Sequence, residues 1–260
     1  MTNPGSAYNR LLALKHRHYI DMRTDERGEN PLWTLHRNGF RAIRDLLPSL
    51  REEGYLSEAP YHDWLTTAFH LGEWLVERPA GVELFTEQQL RRYEPEHYPA
   101  WVPQSEEHRP DGYWHRRLPS GTMTIALEME LSRKKSADYQ KASLFYGDSA
   151  QINRVLWVVR TLGEAKSIGR ELAKGLGARP KIHSFILLGS FLKHGWSAPV
   201  VHGAGSTMPP LTVERFLQKA LEVEGNANAV PSQCHGTTTA LFETRIKRIK
   251  LVTSGTRRGG

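Results

Sequence analysis

The stretch Ile125-Ala126-Leu127-Glu128-Met129-Glu130-Leu131 carries the reading of this chain. Side chains alternate faces along a strand, so Ala126, Glu128 and Glu130 share one face. Ile125, Leu127, Met129 and Leu131 share the other. Two acids on one face of an apolar strand are costly to bury unless something compensates them, and a divalent cation suits that role. The turn Arg109-Pro110-Asp111-Gly112 precedes this strand, and Lys141 follows on the next expected helix. Asp111, Glu128, Glu130 and Lys141 are the candidate catalytic set.

Around this strand, residues 59–200 predict a compact α/β unit in the order helix, three strands, helix, strand, helix, strand. Residues 62–78 place Trp64, Leu65, Ala68, Phe69, Leu71, Trp74 and Leu75 on a broad apolar helical face. A short strand at 82–85 runs into Thr86-Glu87-Gln88-Gln89, which has the form of a capping box. Strands are expected at 111–116 and 122–131, then a helix at 136–146 with Ser136 as its cap. Residues 155–159 are continuously apolar, as in a strand buried on both faces. A helix at 162–176 and a strand at 182–191 complete the unit, while 93–108 and 200–210 read as irregular. The expected fold class is α/β, a mixed central sheet flanked by helices.

Residues 1–58 form a basic module of helix, hairpin and helix. The charged turn chemistry at 24–31 and the return strand Leu32-Trp33-Thr34-Leu35 resemble the wing of a winged helix. Arg10, Lys15, Arg17, Arg23 and Arg27 would then face DNA phosphates. The other reading is a helix-hairpin cap whose charges are simply solvated. Residues 201–260 form a weakly patterned extension with a basic end, Arg257-Arg258-Gly259-Gly260.

Bulk properties narrow the classes. The net charge of +7 favours a polyanionic partner such as nucleic acid. No apolar run reaches membrane-spanning length, and the polar start lacks the apolar core of a signal peptide. The single cysteine, Cys234, excludes an internal disulfide framework and fits a reducing cytoplasm. The Gly-rich run 202–206 lacks the Lys-Ser/Thr of a phosphate loop.

Three strands and a helix, with Pro110-Asp111 on the second strand and paired acids on the third, resemble the PD-(D/E)XK nuclease superfamily. The words Arg109-Pro110-Asp111-Gly112 and Ala126-Leu127-Glu128-Met129-Glu130, with Lys141 and Tyr146 beyond, look most like its replication-relaxation and plasmid-mobilisation accessory branch. The resemblance implies a restriction-endonuclease-like core behind a winged helix, acting on DNA in plasmid or mobile-element processing. It implies Mg²⁺ or Mn²⁺ held by Asp111, Glu128 and the Met129 carbonyl, with a lysine beside the attacking water. The chain departs from the common pattern two residues after Glu128, where Glu130 stands in place of lysine. Lys141 is the expected replacement, with Lys134 and Lys135 as alternatives; His108 and His115 flank Asp111 and could line the site. Two further readings stay open: a non-catalytic DNA-binding accessory protein, and a component of a larger DNA-processing complex with protein partners.

Overall fold

The computed structural model describes residues 4–24, 31–46, 60–71, 81–105, 107–118, 121–175, 183–202 and 211–218. Helix α1 (Pro4–His16), strands β1 (Ile20–Thr24) and β2 (Pro31–Leu35) and helix α2 (Arg37–Ile43) give the expected helix, hairpin, helix order at the N-terminus. β1 and β2 pair antiparallel as a two-stranded sheet of their own. Gly39 in α2 lies so close to the hairpin that a Cβ there would sit 1.9 Å from the Tyr19 carbonyl oxygen. Only glycine permits that approach.

The rest is built on α3 (Pro60–Leu71), β3 (Val82–Thr86), α4 (Glu87–Arg92), β4 (Gly112–Leu118), β5 (Gly121–Met129), α5 (Ser136–Asp148) and β6 (Arg154–Val159). Then come α6 (Leu162–Lys174), β7 (His183–Leu187), α7 (Leu188–His194), β8 (Pro199–His202), β9 (Leu211–Thr212) and α8 (Val213–Gln218). The strands form one seven-stranded mixed sheet in sequence order, β3 to β9. β5, β6 and β7 are parallel at its centre, and the outer pairs are antiparallel.

Each sheet face carries its own core. Leu127, Met129 and Trp114 pack with Phe69 of α3, Phe191 of α7 and Phe216 of α8. Ala126, Tyr113 and Trp157 pack with Leu90 of α4, Tyr139 and Tyr146 of α5 and Ile168 of α6. This is the α/β architecture of a mixed sheet between helical layers. All of β6 is buried, Arg154 included, and its apolar run over 155–159 fits a strand covered on both faces.

The end of β5 depends on its flanks. The Thr86 hydroxyl accepts from Gln89 N–H at 3.3 Å, and Gln89 Oε1 accepts from Thr86 N–H at 2.8 Å, so α4 starts where the capping signature falls. Ser136 is the first residue of α5 rather than its cap; the cap position is Lys135, whose N–H is accepted by Asp138 at 3.1 Å.

Two further expectations change. The strand expected over 182–191 ends at Leu187, and α7 begins at Leu188. Buried Leu188 and Phe191 are three residues apart, a helical spacing inside what reads as one apolar run. Residues 200–202, expected as loop, belong to β8 and extend the sheet. Residues 72–80, the second half of the expected 62–78 helix, and the weakly patterned 221–260 lie outside the described residues. No helix among the described residues is long and apolar enough to cross a membrane.

Candidate active site

Asp111 sits at the entry to β4, where Gly112 adopts φ 146°, a backbone region that favours glycine. Its N–H donates to Leu127 O at 2.9 Å, and its carbonyl accepts from Glu87 N at 3.1 Å. The backbone of the Pro110-Asp111-Gly112 turn is thereby anchored to β5 and to α4. The Asp111 side chain completes the anchor: Oδ2 accepts the Met129 N–H at 2.5 Å.

Glu128 and Glu130 are 2% and 5% exposed, so these acids are not a solvated face. Glu128 shares its face with Ala126 and reaches the α5 layer, where Oε1 receives the Tyr146 hydroxyl and lies 2.6 Å from His108 Nε2. Burial and the Glu128 charge hold the Tyr146 phenol well above its ordinary pKa, so Tyr146 stays a donor. The Glu130 N–H continues the ladder to Val158 O at 2.9 Å, which holds the residue just past the end of β5.

The cation that meets the acids is Lys134. Its Nζ lies 3.3 Å from Glu130 Oε2 and 3.9 Å from Glu128 Oε2. Burial alone would lower the Lys134 pKa, but Glu128, Glu130 and Asp111 outweigh it and hold the ammonium charged. Glu130 is raised to about 7, first by burial and then by Glu128 and Asp111, with Lys134 opposing. Lys141, expected to fill this role, is exposed on α5 and makes no ion pair among the described residues. A chain leaving β5 reverses within four residues, bringing Lys134 back over Glu130, whereas the α5 residues that face the core are Tyr139, Ala142, Ser143 and Tyr146.

On the other side of Asp111 stands His62, in the first turn of α3. Its Nε2 is 3.0 Å from Met129 O and 3.7 Å from Asp111 Oδ2, and its Nδ1 is 3.4 Å from Asp63 Oδ1. Burial lowers the His62 pKa, but the hydrogen bonds to Asp111 and Asp63 and the Asp111 and Glu87 charges raise it to about 10. His62, Asp63 and Glu87 each offer one ligand atom within 4.8 Å of the others, so this corner too could hold a cation. Glu87 is already paired with Arg91 at 2.5 Å.

Of the expected residues, Asp111, Met129, Glu128 and Glu130 thus converge at the end of β5, with His108 beside Glu128. His115 turns away: it is stacked on Trp101 at 4.6 Å and lies 3.0 Å from the Thr124 hydroxyl. Arg10 and Arg17 are exposed, Lys15 and Arg23 half-buried, on α1, β1 and the turn between them. Arg27 lies outside the described residues. His62, Asp63 and Glu87 carry no local mark in the sequence. His62 is sixty-seven residues from Met129, and only an anchor such as Phe69 stacked on Trp114 brings α3 over the sheet.

The donors suit a hard divalent cation, since carboxylate oxygens and a backbone carbonyl are the ligands such ions prefer. Glu128 meets a further requirement: His108 and Tyr146 fix one oxygen and leave the other turned toward Lys134. No protein-family model, curated protein or solved structure matches this chain. The functional reading therefore rests on the chemistry of these residues.

Proposed function

We propose that the chain is a Mg²⁺- or Mn²⁺-dependent DNA endonuclease or nickase of the PD-(D/E)XK kind, working in the cytoplasm on plasmid or mobile-element DNA. The observation that carries the reading is the buried Glu128 and Glu130 pair meeting one lysine beside Asp111. Buried paired carboxylates with a single cation suit a site that handles a phosphate and its metal rather than one that stabilises the fold.

Asp111, Glu128 and the Met129 carbonyl would hold the cation, which when bound supplies charge stabilisation at the phosphate and acidifies an attacking water. His108 and Tyr146 orient Glu128 so that it keeps one geometry. Lys134 Nζ orients the attacking water and offsets negative charge as it develops on the phosphate. Glu130, poised at about 7, takes up the proton of that water at its carboxylate. The exposed Arg10 and Arg17 supply phosphate contacts that fix register without reading sequence.

The test is incubation of supercoiled plasmid and of single-stranded DNA with Mg²⁺, Mn²⁺ or EDTA, comparing wild type with Glu128→Ala. Metal-dependent nicking that disappears in the variant supports the reading.

One observation favours a second reading, a DNA-binding accessory protein without cleavage, part of a DNA-processing complex. His62 sets a protonated imidazole against the Met129 carbonyl and the Asp111 carboxylate, two of the three ligands the first reading needs. On this reading the imidazolium itself balances the acids. Salt-sensitive DNA binding with no product in any metal selects it.

A further inference from the structure

A cavity of about 230 Å³ lies beside the acids, under the irregular segment that leads into Asp111. Tyr98, Tyr113 and Pro103 line it, and the exposed Gln104 and Ser105 stand at its rim. Tyr113 pairs with Ala126 across β4 and β5, and Glu128 is two residues farther along the same face. The cavity and Glu128 therefore share one face of the sheet. His108 joins them, since it lines the cavity and its Nε2 lies 2.6 Å from Glu128 Oε1. Arg109, also in the lining, is exposed and forms no ion pair among the described residues.

We infer that this cavity receives one unpaired nucleobase of the substrate strand, flanking the phosphate at Glu128, so that the substrate is single-stranded DNA or a duplex with an extruded base. This rests on the nuclease reading of the acids. The volume is below the roughly 300–1,000 Å³ of sites that enclose drug-sized ligands, and a single planar heterocycle is the fitting occupant. Tyrosine and proline walls offer flat apolar faces to a ring, while the Gln104 amide and Ser105 hydroxyl can meet the polar edge of a base. Gln104 Nε2 donates to Pro95 O at 2.9 Å, which fixes the amide and leaves its oxygen as an acceptor. Arg109 supplies the cation for the phosphate of the same nucleotide. A base paired inside a duplex cannot enter such a site without leaving the stack, which is why the cavity selects unpaired strands.

The test is binding by the full chain, in EDTA, of a fluorescent single strand carrying one 2-aminopurine, against the blunt duplex of the same sequence. The expected result is single-strand binding about tenfold tighter than duplex, with a change in 2-aminopurine emission. Ser105→Trp, which fills the cavity from an exposed loop position, and Arg109→Ala should each weaken single-strand binding by about tenfold and leave duplex binding unchanged. Equal affinity for both forms, or wild-type binding by both cavity variants, overturns the inference. A deoxynucleoside monophosphate that competes as well as the oligonucleotide also overturns it, because the occupant is then a free nucleotide. Cleavage in Mg²⁺ or Mn²⁺, measured in parallel, separates the two readings. Strand preference without cleavage sinks the nuclease alone, and cleavage without strand preference sinks the cavity alone.

Discussion

Met129 donates its backbone N–H to Asp111 Oδ2 at 2.5 Å, tying the entry of β4 to the end of β5. The same carboxylate is 3.7 Å from His62 Nε2, so Asp111 both ties β4 to β5 and bears on the candidate ligand set. Its structural and chemical roles can be separated by substitution. Asp111→Ala should destabilise the fold by about 1–3 kcal/mol, since it leaves the Met129 N–H unsatisfied. Asp111→Asn keeps an acceptor oxygen and should cost less, while both variants lose cleavage. Urea unfolding of the pair checks this, and equal destabilisation would mean that the bond to Met129 is not what Asp111 contributes to the fold.

Lys134, rather than Lys141, should be the lysine on which cleavage depends. Lys134→Met should lower the cleavage rate by about 10²- to 10³-fold, the usual effect of losing one donor aimed at developing charge. Lys141→Met should leave it near wild type. Plasmid nicking under single-turnover conditions reads both variants, and the opposite ranking would return the role to Lys141.

The His62 imidazolium makes stability pH-dependent on the alkaline side. Its folded pKa of about 10 lies above the ordinary 6.5, so its contribution is full below 6.5 and is lost as pH rises through 10. The stability lost in His62→Gln should therefore be greatest near pH 6 and should vanish as pH approaches 10. Urea midpoints of wild type and variant across that window decide it.

Glu130 works in a lower window. Burial raises it from 4.5 to about 7 against the opposing Lys134, so the folded state holds a proton that the unfolded state releases. Stability should fall as pH rises from 4.5 to 7, and Glu130→Gln should flatten that fall. An unchanged slope in the variant would show that Glu130 does not titrate in this range.

Arg17 is exposed in the turn after α1, and Arg23 is half-buried near the end of β1. If both meet DNA phosphates, the double variant Arg17→Ala/Arg23→Ala should reduce the slope of log K against log salt by about two. Fluorescence anisotropy at several salt concentrations measures it. An unchanged slope would favour a cap whose charges are solvated.

Much of the sheet is legible in the chain because its signals are local. Alternation puts Glu128 with Ala126, the apolar run of β6 marks its burial, and Thr86 and Gln89 announce the start of α4. The boundary at Leu187 is not legible, since an apolar run serves a buried strand and a helix equally, and only the packing of Phe191 against Phe69 at 4.1 Å resolves it. The site divides the same way. Asp111, Glu128 and Glu130 stand out because acids on an apolar strand break a local pattern. Lys134 was one of three lysines in reach, and its selection depends on the turn after β5.

The sequence by itself determined the α/β order, the strand with two acids on one side, and the turn that supplies Asp111, because side-chain period and turn chemistry act over a few residues. Tertiary structure alone decided that His108 and Tyr146 grip Glu128, that His62 stands against Met129 and Asp111, and that a cavity opens beside them. Those contacts join residues 18 to 67 positions apart, across elements whose mutual placement comes from packing two helical layers onto one sheet.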